Sequence, residues 1–274
     1  MAKKKSSGRK GGSWKSAPPA RGNQPRRQKS EDAPNIKDSD EVRLNKFLAN
    51  AGLCSRREAD VLIGTGIVSI NGKVVTALGT KVLPSDTVKM NGETIKKEIL
   101  RYVLLNKPKN LITNFDDARG RKTVMPLVMQ ACKERVYPIG KLERDTTGLL
   151  LFTNDGDLMK KLTHPKRKLP RLYNVTLHKR IKDEHMKQIL EGINFEGGFF
   201  KGEKIEFVEG DPYRVGLEIH SGQNRIIRLA FDQLGYKVTK LDRTVFASLT
   251  KKDLPRGHWR HLNEQEVGFL KMLK

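Results

Sequence analysis

The sequence predicts an α+β fold in two unequal folded modules behind a polar tail, and three features carry the prediction. Two short amphipathic helical stretches lie between Arg43 and Ile63, an Asn71-Gly72 pair sits inside a period-two apolar run, and from Tyr102 onward strand-like runs alternate with helical ones. The length of 274 residues suits two domains at the usual size of about 150 residues each.

Residues 1–42 are rich in Lys, Arg, Ser, Gly and Pro, with Trp14 the one aromatic. Such a segment buries too little apolar surface to offset its ordering entropy, so a disordered basic tail is expected. Leu44, Phe47, Leu48 and Ala51 then share one helical face that Gly52 ends. Ser55 caps a second helix, Glu58 completes a capping box, and Ala59, Leu62 and Ile63 supply the buried stripe. Arg56 and Arg57 fall in its first turn, where the helix dipole disfavours cations; charge placed against the local field points to a phosphate partner. Ile67–Ile70, the Asn71-Gly72 turn and Val74-Val75 read as a hairpin, and Val82, Val88 and Asn91-Gly92 continue in short strands.

Residues 94–101 read as a linker. Tyr102–Lys109 is a strand halted by Pro108. Further strands are expected at Leu149–Thr153, Tyr173–Leu177, Lys204–Val208, Val215–His220 and Lys237–Leu241, with helices at Asp183–Glu191 and Arg225–Leu234.

Charge is the strongest global signal. A formal charge of +23 and a pI near 10.0 attract polyanions at long range. Ten of the 54 basic residues and none of the 31 acidic ones lie in the first 30 positions, so the remainder still holds 13 surplus positive charges. Nucleic acid is the expected partner, because mere solubility would be served equally well by acidic residues. No run of about 18 apolar residues is present to cross a bilayer, and Cys54 and Cys132 are too few for a disulfide framework or a Cys-rich zinc site. A soluble protein of the reducing cytoplasm, with no membrane association, is expected.

The densest chemical cluster is the polar stretch Tyr137–Gly148 entering the apolar Leu149–Phe152. Its carboxylates, Glu143 and Asp145, suit acid, base or nucleophile work, and a hairpin entry with surface charges would look the same. If Glu143 and Asp145 lie in an extended segment, they share one side about 6–7 Å apart. His258 and His261 lack a third ligand at suitable spacing, so no metal is expected, and Trp259 is expected to close the core.

Two resemblances give these residues a context. Arg43-Leu44, Ser55-Arg56-Arg57-Glu58-Ala59 and Val68-Ser69-Ile70-Asn71-Gly72-Lys73 resemble the small S-four-like RNA-binding domain of a ribosomal protein, over residues 43–98. This implies RNA contacts by Arg43, Lys46, Ser55, Arg56, Arg57, Asn71 and Lys73 through shape and backbone recognition. Lys107-Pro108-Lys109, Gly140–Asn154, Arg171-Leu172-Tyr173-Asn174-Val175, Gly222-Gln223-Asn224-Arg225-Ile226-Ile227-Arg228 and Leu254–Arg260 recur in this order in the RsuA/RluB family of ribosomal RNA pseudouridine synthases. Residues 99–274 are then the catalytic domain, with a mixed, mostly antiparallel sheet and flanking helices.

In that family uracil is detached from its ribose, turned and rejoined through a ring carbon, without metal or redox cofactor. The family pattern Gly-Arg-Leu-Asp, two residues, Thr, any residue, Gly sets Gly140, Thr146 and Gly148 in register and puts Glu143 where the nucleophilic aspartate belongs. Lys141 replaces an arginine, and Leu229 replaces a second basic residue. The resemblance assigns catalysis to Glu143, with Asp145 as substitute, Tyr173 as the residue that stacks on the base, and Arg228 as the cation beside the carboxylate. Lys107, Lys141 and Arg225 are assigned to RNA. Ribosomal RNA or an assembly intermediate is the implied partner of a monomer. The three departures keep a second reading open, a paralogue that binds ribosomal RNA as an assembly factor without chemistry.

Overall fold

The computed structural model describes residues 41–96, 98–115, 117, 119–196, 198–220 and 225–273. Within it Glu41–Lys274 form one compact unit. The expected tail, apart from its last two residues, and the Gly222-Gln223-Asn224 portion of the family motif lie outside the described residues.

The first helices run Leu44–Asn50 and Arg56–Gly64. The Ser55 hydroxyl accepts from the Glu58 N–H while the Glu58 carboxylate accepts from the Ser55 N–H, so the expected capping box is present. Leu44, Leu48, Ala59, Ile63, Val68, Val82 and Val88 form a separate small core. Against the helices lies a four-stranded antiparallel sheet in the order Lys73–Val74, Val68–Ile70, Val88–Met90, Glu93–Thr94. Its hairpins turn on Asn71-Gly72 and Asn91-Gly92, all four residues left-handed as tight turns between twisted strands require.

This small module touches the rest of the chain through polar contacts. Lys46 pairs with Asp157 at 2.7 Å, Glu58 with Arg135 at 3.4 Å, and Asn154 donates to Glu98 at 2.9 Å. Gly52 is left-handed and packs on that same Glu98, whose carboxylate occupies the space where a Cβ would stand.

The larger module is built on a nine-stranded sheet. Its main path runs Lys204–Val208, Asp211–Ile219, Arg171–Leu177, Val238–Phe246, Thr146–Thr153, Tyr102–Lys107, Trp259–His261. Among the described residues one pairing in it is parallel, Leu241, Asp242 and Arg243 beside Thr146, Thr147 and Gly148; the others are antiparallel. Val103 and Leu105 belong to one core cluster and Leu104 to another, as do Leu150 and Phe152 against Leu149 and Leu151. Burial on both faces explains why the Leu149–Phe152 run is continuously apolar rather than alternating. Trp259 is half-buried against the larger cluster, as expected.

The parallel junction sets the position of the site, and Gly148 makes it possible. Its φ is +103°, and an added Cβ would lie 2.6 Å from the Arg243 nitrogen and closer still to the Arg243 carbonyl oxygen. That obstacle is backbone, so Gly148→Ala has to push a pair of central strands apart. A loss of about 3 kcal/mol or more is expected, a fall of roughly 6–12 °C in melting temperature. A variant melting within about 2 °C of the parent by calorimetry would contradict this close approach.

Candidate active site

The loop before the Thr146–Thr153 strand is shaped by a buried lysine. Lys107 ends the Tyr102–Lys107 strand, is 0% exposed, and its ammonium donates to four carbonyls: Thr146 at 2.8 Å, Glu143 at 3.0 Å, Pro108 at 3.1 Å and Arg144 at 3.2 Å. Burial pushes its pKa down to about 8. Thr113 holds the other flank of the loop, its hydroxyl donating to the Leu142 carbonyl at 2.9 Å. Glu143, Arg144 and Asp145 therefore form a turn around a cation, closed by the Thr146 N–H to Glu143 carbonyl bond of 3.1 Å.

Glu143 projects from this turn into a cluster of donors. Arg225 Nε lies 3.2 Å from Oε1, while Arg228 Nε lies 3.0 Å and the Thr146 hydroxyl 3.4 Å from Oε2. Arg228 lies in the first turn of the Ile226–Gln233 helix and is anchored by a second bond, Nη1 to the Val238 carbonyl at 2.8 Å. Arg225 is the residue before that helix, with φ +66°. A non-glycine residue held there carries backbone strain of a kind that gathers at functional sites. Two guanidiniums on one carboxylate fix its direction.

Beside this carboxylate is a cavity of about 170 Å³ lined by Glu143, Lys141, Tyr173, Arg171, Arg225, Arg243, Leu241 and Phe246, among others. Tyr173 is buried and stands directly across from Arg243 in the sheet. The structure thus brings Glu143, Tyr173, Arg225 and Lys141 to one cavity, with Arg228 gripping the carboxylate from the side.

Other expected positions differ. Asp145 does not share the Glu143 side, because the turn around Lys107 replaces the extended segment. It lines a second cavity with Asn174 and Thr176, which lie on the opposite face of the Arg171–Leu177 strand from Arg171 and Tyr173. Lys107 is no RNA contact, since its charge is spent on loop carbonyls. The Ser55 hydroxyl is occupied as a helix cap. The Asn71 amide is committed at both ends, donating to Asp86 at 2.7 Å and accepting from the Thr87 N–H at 2.9 Å. Lys46 is engaged by Asp157. Arg43, Arg56, Arg57 and Lys73 are exposed, as RNA contact requires.

Sequence reasoning alone misses Asp242. In the second cavity its carboxylate accepts from Thr147 at 2.6 Å, Arg256 at 2.7 Å and Lys251. Burial alone would raise its pKa, but the bonds from Lys251, Thr147 and Arg256 outweigh burial and hold the carboxyl below the usual range. A depressed folded pKa means that this cluster stabilises the fold above the ordinary carboxylate pKa and stops doing so as pH falls through the folded value. Asp242→Asn should cost about 2 kcal/mol at pH 7 and flatten the acid limb of a stability-against-pH curve below about pH 4. An unchanged acid limb would contradict the assignment.

An S4-type module followed by a sheet carrying a carboxylate, a tyrosine and arginines at one cavity defines the class of RNA-modifying pseudouridine synthases. The RNA pseudouridylate synthase family profile matches residues 101–233, and the S4 domain profile matches residues 42–88. An uncharacterized RNA pseudouridine synthase of Aquifex aeolicus is 38% identical over 234 residues, 84% of this chain and 94% of the other. Ribosomal large subunit pseudouridine synthase B of Bacillus subtilis is 39% identical, covering 84% of this chain and 96% of that protein. A crystal structure of a pseudouridylate synthase superposes with a TM-score of 0.61 at 29% identity, over 84% of this chain and 99% of that one. The chain belongs to the RsuA/RluB family of RNA pseudouridine synthases.

Proposed function

We propose that this protein isomerises a specific uridine of ribosomal RNA, with Glu143 as the carboxylate that acts at the sugar–base junction. The observation that carries the reading is the geometry at the cavity, Glu143 between Arg225 at 3.2 Å and Arg228 at 3.0 Å with Tyr173 lining the same space. Tyr173 offers the flat face on which a flipped base stacks. Arg43, Arg56, Arg57 and Lys73 supply exposed positive charge for docking on folded RNA, so that residues 43–98 position the substrate and residues 99–274 perform the chemistry. The target must leave its stack to reach the cavity, which costs least in a loop or a partly assembled particle. A monomer acting in the cytoplasm suits this reading; both cysteines are free thiols.

Pseudouridine mapping of ribosomal RNA from cells lacking the protein tests it. One position is expected to lose its modification, to regain it with the wild-type protein, and to stay unmodified with Glu143→Gln. Full modification without the protein, with retained binding to ribosomal RNA, would leave an RNA-binding assembly factor instead.

A further inference from the structure

Most cations around the two cavities have a partner in the protein. Arg225 and Arg228 meet Glu143, Lys251 and Arg256 meet Asp242, and Lys107 meets its four carbonyls. Arg171 and Arg243, both lining the Glu143 cavity, form no ion pair among the described residues. Arg243 is 3% exposed; its Nε donates to the Leu149 carbonyl at 2.8 Å, but its Nη2 is buried with no hydrogen-bond partner among the described residues. Arg171 gives one bond, Nη1 to the His220 carbonyl at 2.8 Å. The two guanidiniums lie 5.8 Å and 4.6 Å from the Phe246 ring centre, Arg171 the farther. Burial pushes the Arg171 pKa down, and the nearby Arg243 charge adds to that.

A guanidinium keeps its proton, so it cannot relieve burial by becoming neutral. A buried cation without an ion-pair partner is costly, and where the residue lines a cavity the missing acceptor is one that a ligand brings. When the bond between the base nitrogen and the sugar carbon breaks heterolytically, its electron pair leaves on the ring nitrogen and spreads to the two carbonyl oxygens of uracil. The sugar carbon is left electron-poor, beside an anionic carboxylate.

We propose that Arg243 donates to a carbonyl oxygen of the target uracil and stabilises the negative charge the base acquires on detachment. This rests on the reading of the site as a pseudouridine synthase. Tyr173 stands opposite Arg243 in the sheet, so a base stacked on that ring has an edge beside the guanidinium. Arg171 adds a second positive charge to the same wall. A backbone phosphate is the lesser candidate. It carries chain in both directions, which suits the rim, where Arg225 and Lys141 are exposed, rather than a residue 3% exposed.

The test titrates wild-type, Arg243→Gln and Glu143→Gln proteins with uracil, 2-thiouracil, 4-thiouracil and inorganic phosphate by ligand-observed NMR, with melting temperatures recorded beside them. Uracil is expected to bind wild type and Glu143→Gln, and to bind Arg243→Gln at least about tenfold more weakly. One thio-analogue, its sulfur the poorer acceptor, should bind wild type more weakly than uracil, and the difference should vanish in Arg243→Gln. The analogue comparison on wild type stands even if Arg243→Gln fails to fold. The proposal is overturned by absence of uracil binding to wild type, by equal binding of all three bases, by equal uracil binding to a folded Arg243→Gln, or by phosphate displacing uracil. Turnover of RNA is measured separately: Arg243-dependent uracil binding in a protein without turnover would overturn the proposed function and the charge-stabilising role with it, leaving Arg243 as a uracil-binding residue only, whereas turnover without Arg243-dependent uracil binding would overturn this inference alone.

Discussion

Glu143→Gln is expected to lower pseudouridine formation by about 10⁴-fold or more while leaving the protein folded. The amide keeps the shape of the side chain but removes the charge that Arg225 and Arg228 hold from 3.2 Å and 3.0 Å. Loss of a reacting group of this kind typically costs several orders of magnitude in turnover. Glu143→Asp probes reach rather than charge. In this protein the two arginines are set for the longer side chain, so drawing the carboxylate back by one methylene, a misplacement of about 1 Å, should cost about a hundredfold. Single-turnover measurements of tritium released from labelled ribosomal RNA compare the three proteins. Turnover absent from the wild type and gained in Glu143→Asp would mean that the site is an eroded one.

Lys107→Met removes the ammonium around which the Glu143 loop is folded and leaves the carbonyls of Pro108, Glu143, Arg144 and Thr146 without their shared donor. The expected loss of stability is about 3 kcal/mol or more, and a shift of about 1 Å in the loop should lower turnover about a hundredfold. Lys107→Arg is not a rescue, because a planar fork cannot point at four converging oxygens from the same depth. The pH dependence separates the two roles. With a folded pKa of about 8, below the ordinary lysine value of about 10.4, the folded state releases its proton first, so between these pH values the unfolded state binds more protons and this group's contribution to stability rises with pH. Turnover should instead fall above about pH 8, because a neutral amine has two hydrogens for four carbonyls. Stability and activity falling together in that window would contradict the clamp.

The elements that could be read from the sequence are those fixed by local chemistry. The Ser55–Glu58 capping box and the Asn71-Gly72 turn each act within a few residues, and both appear as expected. The strand at Lys204–Val208 and the helix at Asp183–Glu191 have the expected bounds, while Val238–Phe246 runs five residues past the expected end at Leu241 because a bulge lets it continue. The Glu143 site is legible as a motif, but its shape is not. The turn that separates Glu143 from Asp145 depends on Lys107, 36 residues before Glu143, and no local periodicity encodes such a clamp. In the sequence Lys107 looks like a surface cation next to a proline. Arg243 leaves one usable signal: it follows Leu241 by two residues in a strand, which puts a cation on the buried face.

The role of Glu143 is tested most directly by a crystal structure with an RNA hairpin that carries a uridine analogue unable to complete the isomerisation. A Glu143 carboxylate oxygen is expected within about 3.5 Å of the sugar–base junction of a flipped nucleotide whose base lies against Tyr173. A bound nucleotide whose junction stands well beyond that distance from Glu143, with another acid or none beside it, would contradict that role.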